Sequence, residues 1–299
     1  EDIESISILK GASATALYGS EAANGAVVIT SKRAKTGKVS VDFTAQVMAN
    51  LPAYLPEVQN LYGPGTYNIN YSDYEKQTGG FYQRTFNGQT YKSLRSTTQS
   101  FGPRYDGSDV LYWDGMVRPY VAQTDNPWNE LFRTGWTQNY TLAISHGTET
   151  ASNRFSYTYT DEIPNALVGS FKKHNFKLTG SYKLFKPLTL EYSINYIIQN
   201  VKNRPQTSLS LYGSFSNAFS TFLDIPYLKS TYATSLGYKN TFAGGDATLT
   251  PDEAWAYDPS YLTGVRDMLW NMYHQTSEET ENRLMGMIPV SYTHLTLPT

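Results

Sequence analysis

The four histidines, His146, His174, His274 and His294, are the first residues to test for chemistry, and they are scattered. None stands in a His-Glu-x-x-His string or at another spacing that would gather a metal. The chain has no cysteine, so it holds neither a disulfide framework nor a thiolate. No pair of carboxylates is singled out as a general acid and base. Asp106 and Asp109 lie where acids cap turns, and Glu278, Glu279 and Glu281 read as a solvated acidic run. There is no Gly-x-x-x-x-Gly-Lys-Ser/Thr and no Gly-x-Gly-x-x-Gly after a strand, so no phosphate cradle is expected. What stands out instead is 25 tyrosines in 299 residues, with 14% aromatic and only 17% charged residues. Tyr62, Tyr105, Tyr112, Trp113 and Trp128 sit beside Gly and Asp in segments without strand periodicity. Such rings join an apolar face to a polar edge, which suits contact with a sugar ring or a peptide side chain. Packing of the loops themselves is the competing role. No catalytic residue, metal ligand or cofactor is expected, and the chain is not read as an enzyme.

The elements that would carry these rings are strands. Val39, Val41, Phe43, Ala45 and Val47 alternate with Ser40, Asp42, Thr44 and Gln46. The same period of two appears at Tyr140–Ile144, Phe155–Tyr159, Phe176–Leu184 and Leu188–Ile198, and more weakly near Arg283–Val290. Asp42, Arg154, Lys177, Lys183 and Glu191 all fall on the polar side. A soluble sheet with one buried face keeps charge off that face. A membrane strand keeps it off the lipid face, where Lys or Arg at the midplane costs about 2–4 kcal/mol. Mean hydropathy is −0.45 and no run of 18 apolar residues occurs, so no membrane helix is expected. A net charge of −2 gives no basic stripe for nucleic acid.

The links are uneven. Those near 146–152 and 185–187 are short, 162–169 is intermediate, and roughly 50–137 and 201–282 are very long. Loops of that length count against a compact soluble domain, whereas membrane barrels have short periplasmic turns and long external loops. If the strand at 39–48 starts from the periplasm, both long links fall outside and both short ones inside. Trp136, Phe171 and Phe185, near strand ends, would join the interfacial aromatic girdles.

Residues 1–33 have a pattern of their own. Ile6 and Ile8, then Val27 and Ile29, mark two short strands; Gly11, Gly19 and Gly25 allow sharp turns between them, and Ala12–Leu17 suits a helical turn. The string Leu9-Lys10-Gly11-Ala12, through Tyr18-Gly19, to Asn24-Gly25-Ala26 resembles the end of the plug domain in TonB-dependent outer-membrane receptors, most of all the SusC/RagA branch. Asn60-Leu61-Tyr62-Gly63-Pro64-Gly65, Ser100–Gly107, Trp113-Asp114-Gly115, Arg118-Pro119-Tyr120 and Asp125-Asn126-Pro127-Trp128 resemble segments of that branch too. The resemblance thins between 201 and 282. Ala143-Ile144-Ser145-His146-Gly147 departs from it, since the family more often has a glycine pair there.

The resemblance implies an all-β fold: residues 1–35 as the C-terminal part of a plug, then 36–290 as about six strands and long external loops of a transmembrane barrel of about 22 strands. Six strands cannot close such a barrel, so an open sheet with an unpaired edge is expected. Gly11, Tyr18, Gly19, Asn24 and Gly25 would shape the plug. The whole protein would be an importer of oligosaccharides or peptides in a Gram-negative outer membrane. It would work with a SusD-like surface lipoprotein and with TonB, which would contact a segment ahead of Glu1. A siderophore-type receptor and a non-transporting β-rich glycan-binding protein are the alternatives. Glu1 reads as a point inside a domain, and Ser291–Thr299 resembles a translated sequencing adaptor.

Overall fold

The computed structural model describes residues 3–32, 34, 36–37, 39–64, 80–86, 88–94, 100–112, 116–204, 220–240 and 269–292. The chain opens on a hairpin, β1 (Ile3–Leu9) against β2 (Ala26–Ser31), with Ile6 opposite Ile29 and Ile8 opposite Val27. Between them lie α1 (Ala12–Tyr18) and a 3₁₀ turn, Ser20–Ala22. All three expected turn glycines have positive φ: 49° at Gly11, 76° at Gly19 and 106° at Gly25. At Gly25 a side chain is excluded twice, because a Cβ would also lie 3.0 Å from the Leu9 carbonyl oxygen.

The wall of the molecule is a single antiparallel sheet. Its strands are β3 (Ser40–Asn50), β8 (Gly135–Gly147), β9 (Ala151–Ile163), β10 (Ser170–Phe185), β11 (Leu188–Lys202) and β12 (Glu278–Met287). Each pairs with the next in that order. After a break at Pro289, β13 (Val290–Tyr292) returns to β11 below β12. Ser291 and Tyr292, at the start of the adaptor-like string, therefore take part in the sheet; the rest of that string lies outside the described residues. Among the described residues β3 and β12 end the sheet, which is open as expected.

The registers stack side chains in rows. One outward row runs Phe43, Leu142, Tyr157, Phe176, Tyr196, Leu284; the next runs Val41, Ile144, Phe155, Leu178, Ile194. The rows between them, on the other face, include Asp42, Ala143, Ser156, Lys177 and Asn195. Burial is inverted relative to a water-soluble sheet. Thr137, Thr141, Ser145, Arg154, Ser156 and Thr160 are buried, whereas Phe43 is 68% exposed, Ile144 43% and Phe155 44%. Buried Arg154 reaches Asp42 at 3.3 Å, so the covered face handles its charge by pairing.

Gly180 falls in the outward set, where the ring of Tyr192 lies across it and the Tyr192 hydroxyl donates to Asn153. A Cβ there would stand 2.3 Å from the Tyr192 hydroxyl. Gly180→Ala is expected to displace that ring and cost about 1–3 kcal/mol. Chemical denaturation beside the Tyr192→Ala variant checks it, because the alanine at 180 should cost little once the ring is gone.

The two long links are not structureless, which differs from the sequence-based reading. The link from 51 to 134 holds a four-stranded sheet: β4 (Tyr82–Phe86), β5 (Gln89–Ser93), β6 (Asp109–Leu111) and β7 (Val117–Pro119), with β5 and β6 parallel. The link from 203 to 277 holds α2 (Ile225–Thr231), whose first turn is capped by Asp224 through Tyr227 N–H. Both links leave the same end of the wall, and they share one apolar core: Phe81, Leu94, Val110, Tyr112, Tyr120, Trp128, Leu131, Phe222, Leu223, Ile225, Leu228 and Leu269. These short elements were missed because none is long enough to show a clear period.

Candidate functional site

Three surfaces meet in this chain: the polar face of the wall, the hairpin that leans on it, and the body built from the two long links. The polar face is set by the period of two, which puts Asn139, Thr158, Thr160, Lys173, Asn175, Lys177 and Asn195 on one side. Ile3 of β1 closes a 410 Å³ groove against these residues and Gln46. A second space of 300 Å³ lies between Ile29, Thr30 and Lys32 of the hairpin side and Thr179, Glu191 and Ser193 of the wall. Ile3 and the Ile29–Lys32 end of the hairpin thus come near the polar side of the wall.

The plug-like residues define a turn system rather than a reactive site. Gly11 O accepts from Ala14 N–H and Thr15 N–H, and Gly19 N–H donates to Thr15 O. Tyr18 is 54% exposed, and with Glu21, Ala22 and Gly25 it borders an open surface hollow. Asn24 lies in the turn just before Gly25.

The loop aromatics part company. Tyr112 and Trp128 are buried in the shared core, at 1% and 3% exposure, so both pack the loops. Tyr105 packs against that core and shares a 3.0 Å hydrogen bond with Thr221 of the other link. Burial pushes its phenol up, more than the hydrogen bonds of Thr221 and Ser220 lower it. Tyr62 is 46% exposed, beside Leu61 and Phe101, which are also exposed. Trp113 lies outside the described residues.

Sequence reasoning missed what joins the two links. Arg118 donates to Asp224 at 3.0 Å, and its guanidinium lies 4.5 Å from the ring centre of Tyr112 and 4.8 Å from that of Tyr227. Tyr112 Oη donates to Phe222 O and accepts from Asp224 N–H, both at 3.3 Å. The partners lie more than a hundred residues apart, and no local pattern signals them. Asn203, at φ 45°, ties the neck of the second link: its N–H donates to Ser277 O, and its side-chain oxygen accepts from Ser277 N–H. Arg133 does the same for the first link, donating to Pro164 O and Gly169 O.

Asp106 caps a turn, as expected, accepting from Ser108 N–H at 2.9 Å and Oγ at 2.6 Å and from Lys92 Nζ at 3.3 Å. Partial burial would raise its carboxyl, but the Ser108 and Lys92 contacts outweigh that and hold it below the usual carboxylate range. A depressed carboxyl adds stability above its unfolded value and loses it as pH falls through the lower, folded one. The turn at 106–108 is thus expected to hold at pH 7 and to loosen below about pH 4. The effect is small, since the side chain stands partly in water. Hydrogen exchange of Ser108 N–H across pH, with Asp106→Asn as the flat control, checks this.

On the outward face the tyrosine hydroxyls lean towards the end that carries the long links. Tyr140 donates to Gln138 at 2.9 Å, Tyr159 to Asp161 at 3.1 Å, and Tyr157 shares a 2.8 Å bond with His174. Trp136 and Phe185 are exposed at strand ends, as expected of girdle residues. Phe171 differs: it shares the face of Lys173 and Asn175, because the alternation of β10 fixes it there. Among the described residues no group of His, Asp or Glu could hold a metal. Among the described residues no helix is long and apolar enough to cross a membrane.

No protein-family model matches the sequence. Among curated proteins it is similar to the TonB-dependent receptor SusC of Bacteroides thetaiotaomicron, 22% identical over 99% of this chain. It is also similar to the TonB-dependent receptor P39 of Formosa agariphila, 50% identical over 48 residues, 15% of this chain and 5% of that protein. Among solved structures, the RagAB peptide importer in its closed–closed state aligns with a TM-score of 0.47 at 23% identity, covering 71% of this chain and 23% of that one. The open–open state aligns with a TM-score of 0.43 at 22% identity, covering 67% and 22%. The chain spans about a quarter of the length of SusC, 25%. With its hairpin of three positive-φ glycines and its wall of alternating strands, the chain is thus similar along nearly its whole length to the TonB-dependent receptor SusC.

Proposed function

We propose that this chain is the plug-end and first wall of an energised importer in a Gram-negative outer membrane, with residues 1–35 in the plug and 36–290 in the barrel and its external loops. The observation that carries this reading is the inverted wall: Phe43, Leu142, Ile144, Phe155 and Leu178 face out, while hydroxyls and a paired arginine are covered. Water would not tolerate so large an apolar surface, whereas lipid requires it. The outward apolar rows of β10 extend from about His174 to Leu184. At about 3.3 Å per residue and a tilt of about 40°, that is about 25 Å of height, the depth of a lipid-facing band. Both long links leave the end towards which the tyrosine hydroxyls lean, which makes that end the external one. The hairpin against the polar face supports a plugged lumen.

In this reading the substrate is an oligosaccharide or peptide, a SusD-like lipoprotein sits over the external loops, and TonB acts on a segment ahead of Glu1. Tyr62, exposed on the first link, remains the ligand-contact residue best placed among the aromatics. The test is made on the full receptor in its own bacterium. Membrane fractionation should recover it from the outer membrane together with a surface lipoprotein, and loss of TonB should abolish uptake. Recovery in the soluble fraction, or uptake that persists without TonB, would sink the proposal.

A further inference from the structure

The outward face of the wall changes character at the upper end of its apolar band. The last row of the band holds Tyr140, Tyr159, His174 and Ile198, and the next row holds Gln138, Asp161, Lys172 and Asn200. The rings of the lower row form one patch with Tyr157. The Tyr157 hydroxyl shares a 2.8 Å hydrogen bond with His174 Nδ1, and the imidazole centre lies 6.1 Å from that of Tyr157 and 5.0 Å from that of Tyr159. The imidazole is thereby held in place, with Nδ1 taken and Nε2 without a partner among the described residues. The charges of the upper row are separate from those around them. Lys202 and Glu278, one row further up, pair at 3.8 Å, and Asn200 gives its amide N–H to Glu278 at 2.7 Å. Glu162 and Lys173, the chain neighbours of Asp161 and Lys172, belong to the covered face. That leaves Lys172 and Asp161, which stand opposite each other in register. No ion pair closes between them. The Asp161 carboxylate takes the Tyr159 hydroxyl at 3.1 Å, and the exposed Lys172 ammonium has no partner among the described residues. Opposite residues of antiparallel strands have Cβ atoms about 4.5–5.5 Å apart, so one positive and one negative charge lie side by side on this rim.

Resting on the importer reading, we propose that this rim binds a zwitterionic lipid headgroup, a phosphate linked to a primary ammonium as in phosphoethanolamine. Lys172 and His174 Nε2 meet the phosphate, and Asp161 meets the ammonium. The acyl chains then lie along Tyr157, Phe176 and Leu178, on the apolar rows directly below. Two features single out this class of lipid. The charges come as an adjacent pair of opposite sign, so an anionic headgroup would satisfy Lys172 but meet Asp161 as a like charge. The site is also continuous with the lipid-facing band, at the height where acyl chains give way to headgroups. A lysine stem can lie along the apolar surface while its ammonium reaches that level.

The experiment uses the full receptor, stripped of lipid in detergent and titrated with dioleoyl phosphatidylethanolamine or dioleoyl phosphatidylglycerol, with bound lipid counted by native mass spectrometry. The ethanolamine lipid should bind about tenfold more tightly than the glycerol lipid. Free phosphoethanolamine should not displace it, because the acyl chains supply part of the binding. In Asp161→Asn the order should reverse, since Lys172 then stands alone and favours the anionic lipid. In Lys172→Gln/Asp161→Asn the two lipids should bind alike. Each variant is required to keep the wild-type heat-dependent shift in gel mobility, which excludes loss of binding through misfolding; both substitutions lie on the surface and keep the size of the side chain. Equal binding of the two lipids to the wild type, an unchanged order in Asp161→Asn, or full displacement by free phosphoethanolamine overturns the proposal. A receptor recovered from the outer membrane that shows no headgroup preference defeats the rim assignment and leaves the importer reading intact, whereas recovery in the soluble fraction defeats both.

Discussion

Leu178→Arg should destabilise the folded wall by about 2–4 kcal/mol in lipid, whereas Thr179→Arg, one residue on, should cost far less. Leu178 sits in the outward row with Val41, Ile144, Phe155 and Ile194, near the middle of the apolar band. There an arginine would have to leave its charge among acyl chains or drag water in with it. Thr179 points the other way, beside Arg154 and Ser193, where polar partners already stand. The pair of variants is decisive because a soluble sheet makes a different forecast. If the outward face met water, arginine at 178 would be almost neutral, within about half a kcal/mol. Refolding of the full receptor into phospholipid vesicles, titrated with guanidinium, measures both. Equal and small effects at the two positions would remove the membrane reading of this sheet.

That contrast also shows how far the sequence could be read. Period-two alternation located β3, β8, β9, β10 and β11, because the central residues of each strand keep a polar and an apolar side, although the strands run on past those stretches, β10 starting at Ser170. It could not say which side is covered. Alternation is symmetric between a soluble sheet and a membrane wall, and the covered side emerges only in the structure, where Thr141, Ser145 and Ser156 are buried while Leu142, Ile144 and Phe155 are exposed. The turn glycines were legible because few residues other than glycine adopt positive φ readily. The body made by the long links was not legible. Its strands are three to five residues long, and its core joins side chains such as Tyr112 and Phe222 across more than a hundred residues. Composition flagged the aromatics correctly as unusual but could not sort buried Tyr112 and Trp128 from exposed Tyr62. The lysine and asparagine groove was hidden for a related reason: its members alternate with apolar residues on separate strands, and only the register brings Lys177 opposite Asn195.

Phe222→Ala should unfasten both long links at once. Phe222 is fully buried, with its ring centre 5.1 Å from that of Tyr112, 5.3 Å from Tyr120 and 6.3 Å from Tyr105. All three partners belong to the first link, so the cavity left by alanine opens in the seam between the two. Truncation of a buried phenylalanine costs about 3–5 kcal/mol. The opening that exposes the first link to protease should then be about a hundredfold to a few thousandfold more frequent, at about 1.4 kcal/mol per factor of ten. The wall strands share none of this core and should keep their protection. Limited proteolysis of the full receptor, read by mass spectrometry, distinguishes the outcomes. New cuts between residues 51 and 134, in a variant altered only at 222, establish that the two links fold as one body. Cuts confined to residues 220–240 would mean that each link holds itself, and that the clamp of Arg118 on Asp224, Tyr112 and Tyr227 is too weak to couple them. Arg118→Met separates these further. It removes the charge pair but leaves an apolar stem in the seam, so it should loosen the links less than Phe222→Ala if the core, and not the clamp, carries the coupling.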